Sequence, residues 1–193
     1  MKKLIIFSLT VLSVVTVCAQ VNTASPARAP FSKAMQTVLH DFTGNFRNIT
    51  GDLIEQQAEI DNYVSLVQLP GATECTITRY HSVQDSTASW QAKMFRSEDF
   101  AVAAKQYKEF YNRLKSCYLT LRDGSSIYIK GDWNEPSDEK KFTVTTFRLN
   151  TTDLRYRELQ VNLELLFELQ EWVVNINVSN KKKDTLEPET DAK

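Results

Sequence analysis

Two periods run along the chain. Phe31, Met35, Val38, Leu39, Phe42 and Phe46 recur at helical spacing, with Lys33, Gln36, Thr37 and Asp41 off the stripe, and predict a first helix that ends near Gly44. A second stripe, made by Phe100, Ala103, Ala104, Tyr107, Phe110, Tyr111 and Leu114, predicts a second helix ending around Lys115. Ser97 is its expected N-cap, and Glu98 and Asp99 place negative charge in its first turn, where the helix dipole is positive.

Elsewhere the period is two. Residues 63–69 and 75–80 are β-prone on either side of Pro70-Gly71, which reads as a hairpin. Ala88, Trp90, Ala92 and Met94 alternate with Ser89, Gln91 and Lys93, as in a strand with one buried face. Shorter strands are expected at 118–121, 127–130 and 142–149. The stretch 157–169 carries a conflict, because its Leu, Glu and Gln favour helix. Its apolar residues, however, fall at 159, 161, 163, 165, 167 and 169; wound at 100° per residue they would spread around a helix, so a strand is the better reading. Trp172, Val174, Ile176 and Val178 continue the alternation with the phase shifted by one, which demands a tight turn or bulge near Gln170-Glu171.

With no room for the crossover helices of parallel sheets, this order predicts a two-layer α+β domain: an antiparallel sheet of about six or seven strands with two helices packed on one face. Two copies of a helix-plus-meander unit would give the same order, although the halves share no residue-level similarity. The domain is expected over residues 30–179. Residues 20–29 are small, polar and Pro-broken and read as a flexible leader, while residues 180–193 form a charged tail too polar to order itself.

The N-terminus changes the picture of where such a domain works. Lys2-Lys3, an apolar run from Leu4 to Val17 and the small residues around Ala19 read as a signal peptide over residues 1–19, short and Lys-led as in bacteria. The run is shorter than the about 20 apolar residues that a membrane-spanning helix needs. Export to the periplasm or beyond follows as the expectation, with no transmembrane segment. A lipid anchor on Cys18 is the minority alternative, since Val15, Thr16 and Val17 match a lipobox poorly. Removing residues 1–19 takes two lysines from a chain with 23 basic and 24 acidic residues and leaves 21 against 24, a formal charge of −3. A mildly acidic chain whose one basic run is Lys181–Lys183 excludes nucleic acid as the expected partner. Cys75 and Cys117 would then be an even pair in an oxidising compartment, and a disulfide between them, constraining the unfolded chain by roughly 4 kcal/mol, is expected.

Candidate chemistry is sparse. His81, with Asp85 four residues on, is the one His–acid arrangement that could serve as a general base, and no nucleophile elbow, metal-ligand pair or phosphate loop accompanies it. No cofactor and no metal site is expected; the acid-rich loop from Gly131 to Lys141 has Pro136 where an EF-hand needs a ligand. Trp133 in that loop could contact a partner, or fold back over the sheet. Trp90, Met94, Tyr107, Phe110 and Tyr111 could line an apolar ligand pocket, or be ordinary core. The sequence therefore points to a non-enzymatic binding module that takes an envelope protein or a small ligand through an exposed sheet face and the Trp133 loop. An exported enzyme using His81 and Asp85 is the alternative.

Overall fold

The computed structural model describes residues 28–81 and 86–181 of the 193-residue chain. The expected signal peptide, most of the leader, Asp85 and residues 182–193 lie outside the described residues.

Helix α1 (Arg28–Asp41) is followed by two 3-10 turns and by strands β1 (Thr50–Gln56), β2 (Ile60–Ser65), β3 (Glu74–Tyr80) and β4 (Ala88–Ser97). Helix α2 (Phe100–Leu114) is followed by β5 (Tyr118–Thr120), β6 (Ser126–Lys130), β7 (Phe142–Leu149), β8 (Leu159–Glu168) and β9 (Glu171–Asn180). All strands join one sheet in the order β1-β2-β3-β4-β9-β8-β7-β6-β5, and every pairing is antiparallel. Each half of the described chain is thus a helix followed by a meander, and the last strands of the two meanders, β4 and β9, pair at the centre.

Among the described residues the sheet has nine strands rather than six or seven. The strand that periodicity missed is β1: Thr-Gly-Asp-Leu-Ile-Glu-Gln has adjacent apolar residues and no alternation because neither of its faces is covered, so no period of two was imposed on it. The conflict at 157–169 resolves as a strand, with Leu159, Val161, Leu163 and Leu165 all buried.

The buried side of the sheet forms continuous rows across the seam. Ile77, Trp90, Val178 and Val161 lie side by side on β3, β4, β9 and β8, and Cys75, Ala92, Ile176 and Leu163 form the next row. Helix α2 covers these rows: the Tyr107 hydroxyl hydrogen-bonds Thr145 Oγ1 on β7 at 2.8 Å, and Phe100 packs edge-on against Trp172 of β9 with ring centroids 4.9 Å apart. Its N-cap is Asp99 rather than Ser97; Asp99 Oδ1 accepts from the amides of Ala101 and Val102, while Ser97 Oγ accepts from the Asp99 amide one step earlier. The α-helical part of α1 stops at Asp41 and tightens into a 3-10 turn through Gly44, and the buried Asp41 carboxylate accepts from the amides of Asn48 and Ile49, which holds the turns that lead into β1.

Trp90 is fully buried, and its indole Nε1 donates to Ser65 Oγ at 2.9 Å. That hydroxyl also donates to the Val67 carbonyl and accepts from the Val67 amide, so the one polar atom of the ring is satisfied where burial would otherwise cost about 1–3 kcal/mol. The bond ties the end of β2 to the central strand β4.

The turn between β8 and β9 is Leu169-Gln170, one residue earlier than expected, with Glu168 facing Glu171 across it. Both turn residues have positive φ, 49° and 69°, the pattern for which Asn-Gly is preferred. Arg96 of β4 lies against both glutamates, at 3.6 Å from Glu168 and 2.9 Å from Glu171, and offsets their repulsion. Left-handed geometry costs an L-residue with a side chain roughly 1–2 kcal/mol, less the entropy that a glycine loses on ordering. The double substitution L169N/Q170G is therefore expected to stabilise the domain by about 1 kcal/mol, read as a higher urea midpoint at unchanged slope; an unchanged or lower midpoint would show that the turn is not strained.

Candidate functional site

The residues singled out for catalysis are not assembled into a site among the described residues. His81 is exposed at the end of β3, and its Nε2 lies 3.5 Å from Asp61 Oδ1 on the neighbouring strand β2. The expected partner, Asp85, lies outside the described residues. Asp61 Oδ1 has no hydrogen-bond partner among the described residues.

The expected disulfide is not formed. Cys75 and Cys117 are both buried free thiols. Cys75 is on β3, third in the sheet order, while Cys117 immediately precedes β5, the strand at the far end. Each sulfur has its own partner: Cys75 Sγ accepts from the Leu69 amide at 3.4 Å, and Cys117 Sγ donates to the Arg113 carbonyl at 3.5 Å. Burial pushes the Cys117 thiol up to about 12 and raises that of Cys75 as well, which disfavours the thiolate that a nucleophile or metal ligand requires.

Trp133 is half-buried and faces inward. Its ring packs against Tyr107 and Tyr111 of α2, with centroid separations of 5.4 and 4.9 Å, and its Nε1 donates to Glu135. The loop is fastened on both sides. Tyr111 donates to the Gly131 carbonyl, and Asn134 donates to Thr145 Oγ1 and to the Val144 carbonyl. A Cβ at residue 131 would come within 2.7 Å of the Thr146 carbonyl, so the close approach of this loop to β7 requires glycine there. The other residues considered for a pocket, Trp90, Met94, Tyr107 and Phe110, are buried in the hydrophobic core, and burial lifts the Tyr107 phenol to about 12.

Three surface features stand out among the described residues. One is a shallow cleft of about 290 Å³ between the β5–β6 turn and the loop after β7, lined by Arg122, Asp123, Asp153 and Arg155 among others. Its charges are internally balanced: Arg155 is clamped by both oxygens of Asp153, which holds that carboxyl below its ordinary range. The second is the sheet face opposite α2, where Thr76, Gln91, Asn177, Asn162 and Thr146 form an uncharged polar row across five strands. Thr146 donates to Asn162 within that row, and Thr78 donates to Asn62 in the row beside it. Asn175, next along β9, is 7% exposed and its Oδ1 has no partner.

The third is the β1–β2 edge, which periodicity did not reveal. From Asp52 to Gln56 every residue of β1 is exposed. Leu53 and Ile54 are half in solvent, and on β2 and just beyond it Val64 is 40% and Leu66 66% exposed. Leu53 lies opposite Tyr63, whose neighbour Val64 projects to the other face, so apolar side chains are exposed on both faces of the edge. The signal available in the sequence was the pair Leu53-Ile54 among polar residues in a segment without a helical or alternating partner pattern.

Searches against protein-family models, curated proteins and solved structures find no match to this chain.

The state of the two thiols is open to direct test. In protein from which residues 1–19, and with them Cys18, have been removed, a thiol reagent such as dithionitrobenzoate is expected to label neither Cys75 nor Cys117 at neutral pH and to label both after unfolding in urea. A mass increase of two hydrogens on reduction would contradict this. The raised values of Cys75, Cys117 and Tyr107 belong to acids that are harder to ionise folded than unfolded, so their contribution to stability is complete below about pH 9 and is lost as pH rises toward about 12. The urea midpoint should accordingly decline through that alkaline window.

Proposed function

We propose that this chain is an exported, non-enzymatic binding module of the cell envelope, and that its docking surface is the open β1–β2 edge. The observation that carries the reading is the exposure of Leu53, Ile54, Val64 and Leu66 together at one end of the sheet. Scattered apolar residues are normal on a protein surface, whereas a cluster on an unpaired edge strand is a liability that natural sheets cover, shorten or use. The opposite edge supplies the contrast: β5 is three residues long and packs against α1, with Gln36 donating to Thr120 at 2.8 Å. Export is supported by the apolar N-terminal run after Lys2-Lys3. The non-enzymatic character is supported by the neighbours that His81 and the two thiols have: the Asp61 carboxylate at 3.5 Å for the first and buried hydrogen bonds for the others.

A photoreactive side chain placed at Leu53 in the full chain, expressed in its own host, is expected to form a covalent adduct with an envelope protein on irradiation. The same group at Leu154, 76% exposed on the 3-10 turn before β8, should form none. Absence of an adduct at Leu53, or equal labelling at both positions, would remove the reading.

A further inference from the structure

We infer that the partner of the β1 edge is a basic, extended segment of another protein that adds to the sheet as a tenth strand; this rests on the binding-module reading and specifies the chemistry of its partner.

Two independent features identify the occupant. The first is backbone geometry. Among the described residues β1 is the terminal strand and pairs only with β2, which leaves its outward amides and carbonyls for a strand on the open side. Its base is rigidly held: Thr50 Oγ1 donates to the Phe46 carbonyl at 2.6 Å and accepts from Arg79 of β3 at 2.8 Å, and the Leu66 amide bonds the Ile49 carbonyl at 2.8 Å. The edge is therefore anchored at one end and uncovered along the rest.

The second is charge. From Asn48 to Thr78 the chain carries five acids, Asp52, Glu55, Glu59, Asp61 and Glu74, and no Lys, Arg or His. Glu74 is paired with Lys93 at 2.7 Å, and Asp61 faces His81. Asp52, Glu55 and Glu59 are exposed and form no ion pair among the described residues. A second copy of this chain is disfavoured at the site, because an antiparallel β1 centred on Leu53-Ile54 would set Asp52 opposite Glu55 twice, and like charges directly opposed are destabilising. A strand that alternates Lys or Arg with β-branched residues meets both requirements on opposite faces: Leu53 pairs with Tyr63 and Glu55 with Asn62, adjacent positions of β2, so its apolar side chains cover Leu53 on one face while its cations meet Glu55 on the other. The same acids that repel a copy of this chain then select the partner.

The test uses the full chain and a blocked peptide of about ten residues, the length of a long strand, alternating Lys and Val. Amide chemical-shift changes on titration are expected in residues 51–56, with binding weakened by salt and by at least about tenfold in D52K/E55K, whose reversed charges oppose the peptide. Two control peptides, one with Glu in place of Lys and one with a central Pro that cannot continue a ladder, should not bind. Binding of the Pro peptide at equal strength would reduce the effect to charge adhesion and overturn strand addition. Failure of the Lys-Val peptide to shift β1 amides would overturn the basic-strand assignment. If Leu53 still forms its adduct in that case, the docking edge stands and only the partner chemistry falls; if the adduct is also absent, the binding-module reading falls with it.

Discussion

The antiparallel pairing of β4 with β9 is the constraint on which the rest of this molecule depends. It joins two meanders that would otherwise be a four-stranded and a five-stranded sheet, each with an apolar face too large to leave in water. The seam runs from Trp90 opposite Val178 to Ser97 opposite Trp172, with a bulge near Phe95. Because the buried rows cross it without a break, α2 can cover β4, β8 and β9 together, and the core is single rather than divided between the halves. Placing the last strand of each meander in the middle puts the first strands, β1 and β5, at the two edges.

The two edges are treated differently, and the difference is where chemistry enters. β5 is short and lies against α1, so little backbone is left to template another chain. β1 is longer, uncovered on both faces, apolar at Leu53-Ile54 and acidic on either side of that pair. Bulges on both sides of Leu53 break its register with β2, a device that limits indiscriminate pairing. Apolar exposure favours association, and unpaired negative charge restricts what can associate. A binding surface with that combination is selective through repulsion as much as through contact.

Much of the fold was legible because burial imposes a period. Both helices, the turn at Pro70-Gly71 and the strands from β4 onward follow from apolar stripes or alternation, and the alternation at 159–169 prevailed over helix propensity because Leu159, Val161, Leu163 and Leu165 all face the core. What was not legible lacks that imprint. β1 is covered on neither face and so carries no alternation. Local pattern does not encode whether two cysteines meet, and parity with compartment suggested a bridge where the structure has two buried free thiols. Trp133 was ambiguous for a related reason: an indole in a polar loop reads the same whether it faces a partner or, as here, Tyr107 and Tyr111 of a distant helix. The candidate docking edge was missed for the same reason as β1 itself.

Native-state hydrogen exchange, followed amide by amide, tests the central arrangement most directly, because it separates groups that open only with the whole domain from those that open locally. Hydrogen-bonded amides of β4 and β9 are expected to exchange only through global unfolding, while those of Asp52–Gln56 exchange orders of magnitude faster in the same sample. Protection of β1 equal to that of β4 and β9 would mean that this edge is already covered in the isolated chain, and would contradict both the open edge and the function built on it.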